Sequence, residues 1–304
     1  MCAQTKGLGE YYTDARLMTR DIESVERIGV VGAGTMGSGI AQVTAAAGYD
    51  VVLRDIKTEF VEDGLVAIAD RLDRDVEAER RSESETAMIQ DRITGTTALD
   101  DLTTCDLIIE AAVEDMDIKQ DIFSDLDEMT NNDTVLATNT STLSITSIAS
   151  ITEYPDRVIG IHFMNPVPVM DGVELVAGER TADDVLSFAQ SFINILGKEA
   201  WVSDDKPGFV TNRILMPWIN EGIRAYDEDV ATKEDIDKGM TLGTNAPMGP
   251  LTLADHIGLD ICLHATETLY NEFGDRYKPA YLLKRKVEAG DLGKKTGRGF
   301  YDYD

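Results

Sequence analysis

A glycine-rich turn near the N-terminus constrains this chain more than any other feature. An apolar run at 28–31 predicts a buried strand, Gly-Ala-Gly-Thr-Met-Gly follows at 32–37, and an apolar helical pattern covers 38–48. Between a strand and a helix, this spacing is typical of a dinucleotide-binding turn, because its glycines permit a tight bend, close approach of a pyrophosphate and helix–strand packing. The helix N-terminus would add free N–H groups for the phosphates. We therefore predict cofactor contacts from Gly32, Ala33, Gly34, Thr35, Met36 and Gly37.

A carboxylate at the end of the next predicted strand indicates which dinucleotide binds. Asp55 follows the apolar run at 50–53 and lies 21 positions after Gly34. A carboxylate there accepts hydrogen bonds from the ribose hydroxyls and repels a 2′-phosphate, so it favours NAD. The neighbouring Arg54 leaves NADP open, because an arginine near this place can accommodate that phosphate.

The rest of the chain alternates between apolar runs and helical patterns before the runs stop. Strands alternating with helices predict an α/β, Rossmann-type doubly wound sheet. Residues 57–91 are charged and helical in pattern, with a break near 81–82, and predict a helical-hairpin insertion that projects from the sheet. After Lys206-Pro-Gly208 only helical patterns remain, which predicts an all-α C-terminal domain. The predicted division is an N-terminal extension at 1–23, an NAD-binding domain at 24–205 and a helical domain at 206–304.

The charge of the chain is unusual. Its 56 acidic and 28 basic residues give a formal net charge of −28. A protein of a high-salt cell would explain this excess, since self-repulsion is screened at high ionic strength, whereas an unusually acidic protein of an ordinary cell is the alternative. Either interpretation argues against a nucleic-acid partner, which requires a basic surface.

Further features of the sequence limit where the protein works. No apolar run reaches about 18 residues and residues 1–20 have no apolar segment of a signal peptide, so we expect a cytoplasmic protein with no membrane partner. Cys2, Cys105 and Cys262 are scattered and odd in number, so we predict neither a disulfide framework nor a CxxC metal site, and no bound metal.

One histidine stands out from the three in the chain. His162 ends the apolar run at 158–162, at the edge of the sheet where ligands bind in this fold class. After a turn with two prolines, the strand-like run at 172–176 contains a single carboxylate, Glu174. If the two runs pair, Glu174 lies beside His162 and can orient its imidazole for acid–base chemistry. An ordinary carboxylate at a strand edge is the alternative.

Several motifs in order resemble the L-3-hydroxyacyl-CoA dehydrogenase family, of the 3-hydroxybutyryl-CoA dehydrogenase type, over residues 25–304. They are the glycine turn, Glu110-Ala-Ala-Val-Glu114, Thr138-Asn-Thr-Ser141, His162-Phe-Met-Asn-Pro-Val-Pro168 with Glu174, Pro207-Gly-Phe-Val-Thr-Asn-Arg213, Met248-Gly-Pro250 and Gly293-Lys-Lys-Thr-Gly-Arg-Gly-Phe-Tyr301. The resemblance implies NAD-dependent, reversible oxidation of a short-chain (S)-3-hydroxyacyl-CoA such as 3-hydroxybutyryl-CoA. It also implies a homodimer that pairs through the helical domain, a role in fatty acid β-oxidation and an acyl-CoA substrate.

The resemblance further implies roles for individual residues. His162 is the catalytic base and Glu174 is its partner. Substrate contacts fall on Ser141, Asn212 and Arg71. Arg71 lies near the place of a family serine that contacts the coenzyme A nucleotide, so the sequence departs from the family there. Contacts with the nicotinamide half of NAD fall on Glu114, Lys119, Asn165 and Lys295, and Ser141 is a further expected cofactor contact.

Two other functional classes remain open at this point. The first is a different hydroxy-acid dehydrogenase, of the gulonate or β-hydroxyacid type. The β-hydroxyacid enzymes place a catalytic lysine four residues before an asparagine, whereas Lys206 and Asn212 are six apart here. The second is a non-catalytic NAD-binding sensor or structural protein, which would be expected to lack an intact His162–Glu174 pair.

Overall fold

An eight-stranded sheet organises the N-terminal part of the protein in the computed structural model, which describes residues 22–303. Its strands lie in the order β3-β2-β1-β4-β5-β6-β7-β8, and every neighbouring pair is parallel except β6 and β7, which are antiparallel. The strands are β1 (Arg27–Val31), β2 (Asp50–Arg54), β3 (Ile93–Thr96), β4 (Leu107–Glu110), β5 (Val135–Thr138), β6 (Val158–Phe163), β7 (Gly172–Ala177) and β8 (Glu199–Asp204). The predicted extension at 1–23 lies outside the described residues except for its last two.

Helices cover both faces of this sheet, as in a doubly wound fold. They are α1 (Thr35–Ala46), α2 (Thr58–Glu77), α3 (Glu83–Asp91), α4 (Met116–Met129), α5 (Ile145–Ala149) and α6 (Asp183–Ile195). One apolar core lies between the sheet and helices α1, α2, α3 and α6, and a second lies between the sheet and helices α4 and α5. The predicted Rossmann-type sheet is therefore confirmed.

The charged hairpin is present, but its first helix does not project from the sheet. Helix α2 buries Val61, Gly64, Ile68 and Leu72, and the last two belong to the core that it shares with α1. A Cβ on Gly64 would lie 2.6 Å from the carbonyl oxygen of Ala33. Because that backbone belongs to the glycine turn, α2 forms a wall beside the turn.

The edge strand β8 is absent from the sequence-based interpretation. Its residues alternate poorly, and Ser203 is the only one of them whose side chain is buried. An edge strand gains its order from pairing with β7 rather than from an apolar run of its own, which explains why the pattern of 199–204 gives no strand signal.

The remaining helices enclose a separate apolar core. They are α7 (Thr211–Asp227), α8 (Lys233–Thr244), α9 (Pro250–Ile257), α10 (Leu259–Phe273) and α11 (Tyr281–Glu288). Two buried carboxylates fix the last residues to this core. Asp237 accepts a hydrogen bond from the hydroxyl of Tyr301, and Asp255 accepts one from the hydroxyl of Tyr303. Within residues 22–303, no helix is long and apolar enough to cross a membrane.

Candidate active site

A cavity of about 520 Å³ opens at the carboxyl edge of the sheet, beside the glycine turn. Its wall is formed by the turn, the end of β2, helix α2 and the segment after β4. A Cβ built on Gly34 would meet nothing within 4 Å, so the backbone of the turn is open to a ligand there. The first hydrogen bond of α1 runs from Ser38 N to Gly34 O over 2.9 Å, which leaves the preceding N–H groups of 35–37 unused by the helix. These features fit the phosphates of a dinucleotide.

Two glycines of the turn are required by its geometry. Gly32 has a φ of +101°, and a Cβ on it would lie 2.5 Å from the carbonyl oxygen of Ala111. A Cβ on Gly37 would overlap the carbonyl oxygen of Gly32. The first and third glycines of the motif therefore serve the bend and the helix–strand packing, as the sequence predicts.

Asp55 lies where the ribose of a dinucleotide is expected, and the turn holds its carboxylate. Its Oδ2 accepts a hydrogen bond of 2.7 Å from Ala33 N, and Oδ1 accepts one of 2.7 Å from Ile56 N. Ala33 thus donates its N–H to Asp55, and its expected contact with the cofactor stays a prediction. Both Asp55 oxygens keep lone pairs for hydroxyl donors.

Two arginines bring positive charge to the same cavity. Arg54 lines it, and its Nε is buried without a hydrogen-bond partner in the described part of the chain. Arg71 reaches from α2 to α1, where its Nη2 donates to Ser38 Oγ over 3.1 Å and its Nε donates to Gln42 Oε1 over 2.7 Å. Arg71 therefore lies beside the first turns of the helix that begins at the glycine turn.

The predicted catalytic pair lies on β6 and β7, which are the only antiparallel neighbours among the described strands of this sheet. His162 and Glu174 are direct partners in the register of β6 and β7, and His162 Nδ1 lies 3.1 Å from Glu174 Oε2. The His162 side chain is at the carboxyl end of β6 and 10% exposed, whereas Glu174 is fully buried. The ring of Phe209 packs edge-on against the imidazole.

The other oxygen of Glu174 is also fully engaged. Its Oε1 accepts hydrogen bonds from Ser203 Oγ over 2.6 Å, from Val210 N over 2.7 Å and from Thr211 N over 3.3 Å. Burial alone would raise the pKa of Glu174, but the donors from His162, Ser203 and Val210 outweigh it and lower that pKa to about 2. The carboxylate is therefore ionised throughout the physiological range and can support an imidazolium at His162.

A second buried group of charges lies between the end of β4 and the first turn of α4. Lys119 Nζ is 2.7 Å and 3.0 Å from the two carboxylate oxygens of Glu110, and 3.5 Å from Glu114 Oε2. Lys119 and Glu110 have side chains that are 1% and 0% exposed. The ammonium of Lys119 is thus enclosed between carboxylates, and its expected contact with the cofactor stays a prediction.

Glu114 organises the turn that contains Ser141. Its Oε1 accepts hydrogen bonds from Thr140 Oγ1 over 2.6 Å, from Ser141 N over 2.9 Å and from Thr142 N over 3.2 Å. Burial opposes ionisation of Glu114, but Lys119 and these donors outweigh it, so the pKa of Glu114 lies below its usual value.

Two of the predicted substrate residues, Ser141 and Asn212, meet at the same edge of the sheet, whereas Arg71 lies on α2 beside the glycine-turn cavity. Asn212, in the first turn of α7, donates from Nδ2 to the carbonyl oxygen of Ser141 over 3.0 Å. Because Thr211 N contacts Glu174, the residues Ser141, Asn212 and His162 are joined by one chain of contacts. Asn165 is exposed in the turn that follows β6. Lys295 lies in the helical domain, where its Nζ is 2.6 Å from Asp260, so its expected cofactor contact also stays a prediction.

Three buried residues of the site were missed by sequence reasoning. Ser203 binds Glu174, Glu110 binds Lys119, and Lys198 donates to the carbonyl oxygens of Val167 and Met170 over 2.8 Å and 2.6 Å, which holds the proline-containing turn after His162. Of these three residues, only Glu110 has a signal in the sequence: it is a lone glutamate at the end of the apolar run 107–110 and the first residue of the motif 110–114. In the described residues, no group of three His, Cys, Asp or Glu side chains could hold a metal ion.

Comparison with known sequences places this geometry in a family. The family model described as "3-hydroxyacyl-CoA dehydrogenase, NAD binding domain" matches residues 27–206, and the model described as "3-hydroxyacyl-CoA dehydrogenase, C-terminal domain" matches residues 208–303. The chain belongs to the 3-hydroxyacyl-CoA dehydrogenase family. Its predicted family, enzyme class and NAD cofactor are thereby confirmed.

Individual relatives agree with this assignment. The 3-hydroxybutyryl-CoA dehydrogenase of Bradyrhizobium diazoefficiens is 46% identical over 280 residues, which are 92% of this chain and 96% of the relative. The 3-hydroxybutyryl-CoA dehydrogenase of Clostridioides difficile is 47% identical over 280 residues, 91% of this chain and 99% of the relative. The crystal structure of (S)-3-hydroxybutyryl-CoA dehydrogenase from Ralstonia eutropha is similar with a TM-score of 0.88 at 46% identity, covering 92% of this chain and all of that one.

Proposed function

We propose that the protein catalyses the reversible, NAD-dependent oxidation of short-chain (S)-3-hydroxyacyl-CoA, such as 3-hydroxybutyryl-CoA, with His162 as the base. The observation that carries this proposal is the His162–Glu174 pair at the sheet edge that bears the glycine turn. The names of the relatives support the short-chain substrate.

The residues of the site can perform each proton step of this reaction. The glycine turn and Asp55 would hold NAD, which would supply the acceptor for the hydride from C3 of the hydroxyacyl group. His162 accepts the proton of the 3-hydroxyl in the oxidative direction and, as an imidazolium, returns a proton to the same oxygen in the reductive direction. Glu174 stabilises the imidazolium because its own carboxylate remains ionised. Ser141 and Asn212 orient the reacting carbon and the thioester carbonyl.

The cofactor contacts follow from the cavity and belong to the same proposal. Residues 34–37 present backbone N–H groups to the pyrophosphate, and Asp55 accepts the ribose hydroxyls. Glu114, Lys119, Asn165 and Lys295 contribute to the nicotinamide half as the family resemblance implies. Arg71 lies beside α1 at the cavity wall, a position that suits a phosphate of either the cofactor or coenzyme A.

Replacement of the base tests the proposal directly. His162→Gln is expected to lower kcat for acetoacetyl-CoA reduction by about 10²–10⁴-fold, the usual contribution of general acid–base catalysis, with unchanged binding of NADH measured by fluorescence. The matched control is His256→Gln, because His256 is exposed in the helical domain and its ring packs on Tyr303. Turnover of the His162 variant near the wild-type rate would contradict the assignment.

A substrate panel distinguishes the remaining classes. NADH consumption with acetoacetyl-CoA, but with neither free acetoacetate nor gulonate, is expected for the proposed enzyme. Activity on gulonate or on a free hydroxy acid would instead indicate another hydroxy-acid dehydrogenase, and NADH binding without turnover would indicate a sensor.

The wider organisation of the protein is part of the proposal. A division close to 205–206 is supported by the end of β8 at Asp204 and by the two family matches, of which one ends at residue 206 and the other begins at residue 208. A homodimer formed through the helical domain, a cytoplasmic location and a high-salt source complete the proposed description. Light scattering in high salt tests the dimer, which a monomeric mass would contradict.

A further inference from the structure

The carboxylate beside His162 is hydrogen-bonded from a second side by Ser203, which no motif of the sequence singles out, and by the backbone N–H groups of Val210 and Thr211. Oε1 of Glu174 accepts from Ser203 Oγ, Val210 N and Thr211 N, and Oε2 is left to face His162 Nδ1. We propose that Ser203 is a positioning residue for the reaction, whose hydroxyl withdraws charge from Glu174 and so limits how strongly the carboxylate holds the imidazolium of His162.

The position of Ser203 on its strand suits this role. Of the six residues of β8, it is the only one whose side chain is buried, and it is 6% exposed. The distance of 2.6 Å from its Oγ to Glu174 Oε1 lies in the range of a hydroxyl that donates to an ionised carboxylate. The hydroxyl therefore donates into a buried negative charge, where its electrostatic effect is stronger than in water.

The expected direction of the effect follows from the charge on the carboxylate. Each donor to Oε1 stabilises the anion and lowers the basicity of the whole carboxyl group. Removal of the Ser203 hydroxyl makes Glu174 more basic, so its Oε2 binds the Nδ1–H of the imidazolium more tightly. The imidazolium of His162 then persists to higher pH, so the neutral imidazole that oxidation requires forms only at a higher pH.

Two variants of Ser203 test this inference, which rests on the proposed role of His162 as the base. For Ser203→Ala, the acidic limb of kcat/KM for 3-hydroxybutyryl-CoA oxidation is expected to move up by roughly half a pH unit, which lowers the rate below that limb about threefold. The basic limb of acetoacetyl-CoA reduction is expected to move up as well, because the imidazolium is the acid in that direction. Ser203→Cys, of similar size and with a weak donor, should give an intermediate shift.

The matched control removes the same kind of bond elsewhere. Ser144 Oγ donates to Asp205 Oδ2 over 2.8 Å and caps α5, so Ser144→Ala loses a hydroxyl–carboxylate bond that does not contact the pair. It should lower the melting temperature without moving either limb. Ser203→Thr keeps the hydroxyl and should restore the wild-type profile.

The outcomes separate this inference from the proposed function. If the limbs of the pH profile of Ser203→Ala stay in place or move to lower pH, the proposed role of Ser203 is overturned. This holds whether or not kcat falls uniformly across the profile. If His162→Gln abolishes turnover while Ser203→Ala leaves the pH profile unchanged, only the Ser203 inference fails. If His162→Gln retains turnover, the proposed function fails first.

Discussion

Replacement of Lys119 by methionine should lower the free energy of unfolding by more than the replacement of an exposed residue does. Lys119 Nζ contacts both oxygens of Glu110, and both side chains are buried. Lys119→Met keeps the length of the side chain but removes the cation, so the Glu110 carboxylate remains buried with Ala112 N and Thr138 Oγ1 as its donors. Removal of one partner from a buried ion pair typically costs about 3–5 kcal/mol, and we expect a loss in that range.

A double variant separates this cost from simple loss of packing. Lys119→Met with Glu110→Gln removes the uncompensated charge at Glu110 and leaves Glu114 with its donors from Thr140, Ser141 and Thr142. Uncharged replacement of a buried pair is often close to neutral. The double variant should therefore recover most of the lost free energy of unfolding. The exposed pair Lys284–Glu267, at 2.8 Å, supplies the control, since Lys284→Met should cost less than about 1 kcal/mol.

Urea unfolding followed by circular dichroism in molar KCl provides the measurement, with linear extrapolation and comparison of the m-values. Two results would refute the reasoning. One is a loss below about 1 kcal/mol for Lys119→Met, which would mean that the ammonium reaches solvent or the cofactor rather than Glu110. The other is a double variant that is no more stable than the single one.

Three further outcomes follow from the site and the charge of the chain. Asp55→Ala should lower kcat/KM for NADH by roughly 10–100-fold, from loss of charge-assisted hydrogen bonds, with a smaller loss for NADPH; a wild type that already prefers NADPH would contradict this. The pKa of Glu174 is about 2 in the folded protein, below its value in the unfolded chain. The contribution of Glu174 to stability is therefore present above about pH 4.5 and is lost as the pH falls towards 2. Glu174→Gln should flatten the dependence of the free energy of unfolding on pH between these two values. Activity and melting temperature should rise from low salt to about 1 M KCl, and a flat profile would remove the high-salt interpretation.

The parts of the candidate site that could be predicted from the sequence are those determined by residues close together in the chain. The glycine turn and Asp55 depend on spacing within one strand–turn–helix–strand unit. The pairing of His162 with Glu174 follows from two apolar runs joined by a short proline-containing turn, which restricts them to an antiparallel register. In both cases, the residues that meet are close in sequence, so few alternative arrangements compete.

The parts that could not be predicted depend on contacts between distant segments. Ser203 and Val210 reach Glu174 across 29 and 36 residues, and they do so because β8 pairs with β7 and the chain then turns at Gly208 and Phe209, with φ values of +78° and +48°. A positive φ is expected for glycine but not for phenylalanine. No periodicity in the sequence predicts that two N–H groups of this turn donate to a buried carboxylate.

The distribution of charge explains how so acidic a chain can bind an anionic cofactor and an anionic substrate. The negative charge of the carboxylates at the sheet edge is partly offset, because Asp55 accepts two N–H groups, Glu174 faces four donors and Glu110 binds an ammonium. Arg54 and Arg71 bring positive charge into the cavity wall, and α1 directs its N-terminus towards it. The net charge of −28 therefore acts on incoming anions as a long-range field, which salt screens, whereas the short contacts in the cavity are partly shielded from salt by burial. Added salt should therefore weaken the long-range repulsion of NADH more than it weakens the contacts that bind NADH. Salt should then favour the binding of NADH, whereas it weakens binding at a site that depends on a basic surface.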